Sequence, residues 1–165
     1  MRRFLQVLLL LPAMNTFAQL PPITSGEYHW DDLPVKKDDK REGRRLAEGT
    51  THEFSYFEMH ATTQQKGALP RPPHTQDSIE EVIIIKEGLL TCTIGDQKAT
   101  LGAGSVLLIP PHVSQAFENT GDGPVSYYVF MFRSRQPMDL ARSDSAGGIL
   151  LIDADTLKEK YTDKG

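Results

Sequence analysis

GALPRPPHTQDSIEEVIIIKEG at residues 67–88 and GSVLLIPPHVSQAFEN at residues 104–119 are the two stretches that decide the fold. Each joins a Gly- or Pro-bearing turn to a run of apolar residues, a pattern typical of a short strand bounded by turns. In the second stretch Pro110 and Pro111 end the strand, because proline cannot donate to a ladder of backbone hydrogen bonds. Both stretches therefore indicate a β-sheet protein.

The same pattern continues along most of the chain. Gly95 and Asp96 form a two-residue turn of the kind that a tight hairpin needs. Short strands separated by turns at this spacing predict an all-β sandwich or barrel rather than strands that alternate with helices. Strands are predicted at residues 54–62, 82–86, 89–94, 97–101, 105–109, 114–120 and 125–134.

The first residues have the form of a signal peptide. Arg2 and Arg3 precede an apolar run over residues 4–14, and Ala18 lies where a signal peptidase would cut. The run is too short to cross a bilayer, which takes about 20 apolar residues. We predict a signal peptide at residues 1–18, secretion or residence in a periplasm, and no membrane attachment after cleavage.

The rest of the chain divides by composition. We predict a polar N-terminal arm at residues 19–48, a barrel at 49–136 and a short C-terminal extension at 137–165. The mixed-charge run at residues 36–45 is typical of a solvated segment or a short helix. Just before it, Tyr28 and Trp30 are expected to pack on the barrel, and the apolar run at 149–152 allows one more strand.

Charge and cysteine content exclude several classes of protein. The formal net charge is −4, and cleavage after Ala18 would remove two bases and no acid, leaving −6. An acidic domain has no electrostatic reason to bind nucleic acid. Cys92 is the single cysteine, so no internal disulfide forms, and its place in an alternating strand predicts a buried thiol.

The two stretches resemble the paired motifs of the cupin superfamily, G-x5-H-x-H-x3-4-E-x6-G and G-x5-P-x-G-x2-H-x3-N. In the first motif His74 takes the place of the first histidine, Gln76 of the second and Glu81 of the glutamate, and Gly88 closes it. In the second motif Gly104, Pro110 and Asn119 match, whereas His112 replaces the glycine and Gln115 the metal-binding histidine. The resemblance spans residues 54–132 and implies a cupin-type double-stranded β-helix, a jelly-roll barrel.

The same resemblance implies a metal site with reduced binding. Three imidazoles and a carboxylate suit Mn, Fe, Ni, Cu or Zn. Here the candidate ligands are His74, Gln76, Glu81 and Gln115, which supply one imidazole, one carboxylate and two neutral amides. At most one weakly held divalent ion (Mn, Zn, Fe or Ni) is expected. Two substitutions stay open: His112 for Gln115, and Glu80 beside Glu81, although strand parity that aims 81 inward aims 80 outward.

Purely structural roles account for the same residues in another way. His74 is then a hydrogen-bonded histidine, Gln76 and Gln115 pair with each other across the barrel, and Glu81 is surface charge. The strand at 54–62 adds pocket candidates, because Tyr56 and His60 share a face. Four polar residues at motif spacing favour a functional pocket.

A narrower resemblance rests on FEMHATT at residues 57–63, on His74 with its neighbours, and on the last residues, 163–165. These are similar to the first half of exported two-cupin proteins related to ureidoglycine aminohydrolase. In that group the complete metal motif usually lies in the second half. The resemblance implies hydrolysis of a small nitrogenous or sugar-like compound, but none of the group's catalytic residues is carried onto this chain.

Three functions remain in competition. The first is a cupin-domain protein whose barrel binds a small molecule, with little or no catalysis. The second is a metal-dependent hydrolase, isomerase or dioxygenase in which His74 and Glu81 are ligands, or Glu81 the general base. The third is an interaction role as a homodimer subunit, since cupin barrels often pair through an edge strand.

Overall fold

A computed structural model describes residues 20–135 and the backbone of residues 151–152. The predicted signal peptide and most of the C-terminal extension lie outside the described residues. The regular secondary structure of the described chain is almost entirely strands: β1 (Val35–Lys37), β2 (Arg41–Gly49), β3 (Phe54–Gln64), β4 (Glu80–Glu87), β5 (Leu90–Ile94), β6 (Gln97–Leu101), β7 (Val106–Ile109), β8 (Gln115–Asn119), β9 (Val125–Ser134) and β10 (Leu151–Ile152).

The strands form two sheets of a double-stranded β-helix. One has seven strands in the order β1-β2-β3-β9-β4-β7-β10, and the other has three in the order β6-β5-β8. Because consecutive side chains on a strand point to opposite faces, every second residue faces the interior. The all-β fold and the cupin-type jelly roll are thus confirmed. No helix in the described part of the chain is long and apolar enough to cross a membrane.

The core fills the interior between the two sheets. Ile83 and Leu107 from the large sheet and Leu90 and Ile94 from the small one have no exposed surface. Cys92 is buried among them, as predicted, and burial raises the pKa of its thiol to about 12, which leaves it protonated and unreactive. The other buried apolar members are Ile85, Leu101, Ile109, Val125, Tyr127 and Val129.

The mixed-charge run is solvated over residues 36–40, as predicted, but it contains strands rather than a helix. β1 ends within it at Lys37, and β2 begins within it at Arg41 and pairs with β3 along its length. Local composition allows a short helix, but the backbone donors and acceptors of β3 stabilise strand pairing instead. The arm contains a 3-10 turn at Trp30–Asp32. The indole ring of Trp30 contacts the charged groups of Arg44 (4.7 Å) and Lys86 (5.1 Å).

Candidate functional site

A cavity of about 240 Å³ opens at one end of the barrel interior. Its walls come from inward-facing residues of β3, β4 and β9 and from the loop that joins β3 to β4. Fifteen residues line it: Arg41, His60, Thr62, Gln64, Arg71, Pro72, His74, Gln76, Glu81, Ile83, Ala116, Phe117, Tyr127, Val129 and Met131. It adjoins a wider groove beside β1 and β2, with which it shares Arg41, His60, Thr62 and Arg71.

The structure brings three of the four motif positions, His74, Gln76 and Glu81, to the wall of this cavity, and Gln115 lies behind them. His74 and Gln76 both line it, although His74 lies in an isolated bridge to Gln115 rather than in a full strand. Two backbone hydrogen bonds of 3.0 and 2.8 Å between His74 and Gln115 hold that bridge. Glu81 is 6% exposed and Gln115 is 1% exposed, so both belong to the barrel interior, as their spacing predicts.

Gln115 joins the other ligand positions. Its Nε2 donates to Oε2 of Glu81 at 2.7 Å and lies 3.4 Å from Nε2 of His74. Burial raises the pKa of the Glu81 carboxyl, and the hydrogen bond from Gln115 and the charge of His74 oppose that shift. The predicted pairing of Gln76 with Gln115 is wrong, because the amide N–H groups of Gln115 are directed at Glu81 and His74.

This donor set does not fit a tightly held metal ion. A cation between Glu81 and His74 would face the N–H donors of the Gln115 amide, whereas a metal ligand must offer a lone pair. Among the residues that the structure describes, no group of three His, Cys, Asp or Glu side chains is arranged to hold a metal ion. His74, Glu81 and Gln115 therefore form a hydrogen-bonded group rather than a complete coordination sphere.

The two substitute ligands do not join the site. The backbone of His112 has a φ of 64°, and its side chain is exposed and does not line the cavity. His112 thus occupies a left-handed position that suits the glycine of the family motif, and histidine is among the few other residues that adopt it readily. Glu80, one step from Glu81 on the strand, points to the opposite face, as strand parity predicts.

Tyr56 and His60 are linked through Glu58, which lies between them on the same face of β3. Glu58, 8% exposed, accepts a short hydrogen bond from the Tyr56 hydroxyl, and its Oε1 lies 3.0 Å from Nδ1 of His60. The His60 contact has an ion-pair distance but not the alignment of a straight hydrogen bond. His60 lines the cavity, whereas Tyr56 does not, so only the imidazole of this pair is placed to meet a ligand.

Glu58 predicts a pH dependence of stability. Its contact with His60, followed by the Tyr56 hydroxyl, lowers the pKa of the carboxyl from 4.5 to about 2, against the effect of burial. A lowered pKa stabilises the fold above the unfolded-state value, and this stabilisation is lost as pH falls through the folded-state value. We expect the free energy of unfolding to decrease between about pH 4.5 and 2, by about 1–2 kcal/mol after solvent screening.

Denaturant unfolding between pH 2 and pH 7 measures this effect. Glu58→Gln should flatten the acid limb, because the amide cannot titrate. Glu53→Gln is the matched control, since Glu53 is an exposed glutamate that pairs only with His52. The assignment to Glu58 fails when both variants keep the full acid dependence.

Sequence reasoning missed Arg41, Arg71, Gln64 and Tyr127 as cavity residues. Arg41 was missed because it lies within a run interpreted as solvated, and Arg71 was missed because it lies among prolines in a loop. Gln64 donates from Nε2 to the hydroxyl of Tyr127 at 2.8 Å, a contact between residues 63 positions apart. The alternation of β3, extended by two residues, would have placed Gln64 on the His60 face.

Comparisons with known proteins agree with this fold. Residues 60–131 match the family model described as Cupin domain. No significant match to a curated protein was found. KdgF from Halomonas sp. is 13% identical, with a TM-score of 0.56 over 68% of this chain and 97% of that one.

Two further solved structures have the same fold. The RmlC-like cupin from Shewanella frigidimarina is 17% identical, with a TM-score of 0.55 over 68% of this chain and 95% of its own. Protein Ylba from E. coli is 15% identical, with a TM-score of 0.59 over 76% of this chain and 50% of that one. At such identities these structures establish the fold alone.

Proposed function

We propose that this chain, which carries a cupin domain over residues 60–131, binds a small polar molecule in its barrel without a resident metal ion and with little or no catalysis. The observation that carries the proposal is the hydrogen bond of 2.7 Å from Gln115 to Glu81 at the heart of the motif. It joins two positions that would otherwise ligate a metal, and it leaves beside them a cavity of about 240 Å³ lined by polar groups.

Ligand binding is tested by filling the cavity. Thr62 lines it from β3, on the same face as His60 and Gln64, and the larger side chain of Thr62→Phe would occupy part of the volume. A library of small polar compounds is screened by ligand-observed NMR, and we expect hits on the wild-type chain whose affinity falls at least about tenfold in the variant.

The control is Thr93→Phe on β5, an exposed residue that does not line the cavity. Circular dichroism and melting temperature establish that each variant folds. Hits that bind Thr62→Phe as tightly as the wild type, or no hits at all, would contradict a ligand site in the barrel.

A metal-dependent enzyme is the alternative outcome. Elemental analysis after mild dialysis should find less than one equivalent of Mn, Zn, Fe or Ni. A full equivalent of one of these metals, lost in His74→Ala, would replace the metal-free proposal by a hydrolase, isomerase or dioxygenase.

The likeness to ureidoglycine aminohydrolase stays a prediction, tested by release of ammonia from ureido compounds.

We further propose that the chain is exported and forms a homodimer. Support for export is the arginine pair and apolar run that begin the sequence. Support for pairing is the outer face of the large sheet, where the exposed side chains of Ile84 and Leu108 lie on neighbouring strands. Mass spectrometry should find a mature N-terminus at Gln19, and light scattering should give twice the mass of one chain. An intact Met1 contradicts export, and a monomer at high concentration contradicts pairing.

A further inference from the structure

Two arginines stand where the cavity meets the groove. Arg41 begins β2, Arg71 lies in the loop between β3 and β4, and both line the cavity and the groove. Within residues 20–135, neither guanidinium forms an ion pair with a carboxylate, although other arginines do. Arg41 donates to the backbone carbonyl of Leu69, which fixes its direction. A guanidinium presents a planar fork of donors that matches a carboxylate or a phosphate.

The acidic groups around the cavity accept hydrogen bonds from other groups, although, after the backbone N–H groups whose hydrogen bonds it accepts, the charges of Arg41 and Arg71 also help to lower the pKa of Asp38. Asp38 accepts hydrogen bonds from the backbone N–H groups of Lys40 and Arg41 at 2.9 and 2.7 Å. Glu81 accepts from Gln115, and Glu58 contacts Tyr56 and His60. Both arginines thus keep donors for an external anion.

The two arginines act on the same part of the cavity. Burial raises the pKa of Tyr127, and the charges of Arg41 and Arg71 both oppose that shift. Tyr127 also accepts the hydrogen bond from the Gln64 amide. The arginines therefore face the side of the cavity that holds Gln64.

Gln64 adds an acceptor to this pair of cations. The residue is 3% exposed, and its Oε1 is buried without a hydrogen-bond donor from the described residues. Because a buried amide oxygen without a donor destabilises a protein, this oxygen is placed for a hydroxyl or amine of a ligand.

We propose that the cavity binds a small hydroxylated oxyanion, whose anionic end pairs with Arg41 and Arg71 and whose hydroxyl donates to Gln64 Oε1. This inference rests on the proposed function, since it names the class of molecule that the barrel holds. The cavity volume of about 240 Å³ is small, so it suits a ligand of a few heavy atoms rather than a large one. Malate and glycerol 3-phosphate are small probes that carry both groups, the first with a carboxylate and the second with a phosphate ester.

Isothermal titration of the full chain with these two anions is the test, beside their neutral counterparts malamide and glycerol. We expect at least one anion to bind at least about tenfold tighter than its neutral counterpart, and the anion that binds identifies the oxyanion. Arg71→Gln should weaken that binding about tenfold, as loss of a charge-assisted hydrogen bond does at a partly exposed site. Arg71→Lys should restore part of it, and added salt should weaken it.

Lys98→Gln is the matched control, because it removes the same charge from an exposed residue of β6 that does not line the cavity. Succinate, which lacks the hydroxyl of malate, tests the contact with Gln64. It should bind the wild type more weakly than malate does, whereas succinate and malate should bind Gln64→Leu with equal affinity. Arg71 makes no hydrogen bond with another described residue, so its variants are expected to fold.

Equal affinity for charged and neutral probes would overturn the inference, as would equal losses in Arg71→Gln and Lys98→Gln. Failure of both anions to bind, while library compounds still bind the wild type and lose affinity in Thr62→Phe, would rule out the oxyanion and leave the barrel pocket intact. Absence of any compound whose binding Thr62→Phe weakens would instead contradict the proposed function itself.

Discussion

Replacing Gln76 and Gln115 together by histidine is expected to convert the barrel interior into a metal-binding site. The pair of substitutions restores three imidazoles beside the carboxylate of Glu81, a set that suits Mn, Fe, Ni, Cu or Zn. The geometry favours the change, since the Gln115 amide already lies 2.7 Å from Glu81 and 3.4 Å from His74. Small side-chain shifts can bring such groups to the roughly 2.0–2.2 Å ligand distances of metal sites.

The expected gain in zinc affinity is at least about 100-fold. Changes to outer partners of a ligand alone alter metal affinity by about 10–100-fold, and here two direct ligands are added. Competition titration against a chelator measures the affinity of the wild-type and double-variant proteins, and elemental analysis counts the ions bound.

Two controls assign the gain to the motif positions. His74→Ala in the double-variant background should abolish it, because the site then loses one of its three imidazoles. His112→Gly should leave it unchanged, because the exposed His112 side chain lies outside the cavity and glycine suits its φ of 64°. Zinc affinity in the wild type equal to that of the double variant would show that the glutamines do not limit metal binding.

Gly88→Ala is expected to be strongly destabilising. Gly88 has a φ of 78°, a conformation that costs an L-residue about 1–2 kcal/mol. A Cβ there would lie 2.3 Å from the carbonyl oxygen of Pro124 and 2.8 Å from Cα of Val125. Both contacts are with backbone, so relief requires the turns that precede β5 and β9 to separate.

The combined loss should reach about 2–5 kcal/mol, since overpacking adds about 1–3 kcal/mol to the conformational cost. That is a large part of the roughly 5–15 kcal/mol that stabilises a typical domain. Urea unfolding measures it. Gly123→Ala is the matched control, because its Cβ would meet nothing within 4 Å and its backbone does not require glycine. Equal stability of the two variants would contradict the role assigned to Gly88.

The elements predicted from sequence were those in which local and long-range preferences agree. The Gly95–Asp96 turn, the proline-terminated β7 and the β-branched β4 each carry their own conformational signal. The run at 36–45 was correctly predicted as solvated over residues 36–40, but its strands were not predicted, because the pairing of β2 depends on the backbone of β3, which no local pattern records.

The sequence by itself determined the barrel and which positions of the motif face its interior, because strand alternation and turn chemistry act over a few residues. It also determined that two imidazoles of the family's metal set are replaced by amides. Only the tertiary structure decided how those amides are used: Gln115 pairs with Glu81 rather than with Gln76. It alone brought Arg41 and Arg71, 30 residues apart in sequence, to one cavity. Such contacts depend on strand pairing between distant segments, so the fold could be inferred locally while the chemistry of its pocket could not.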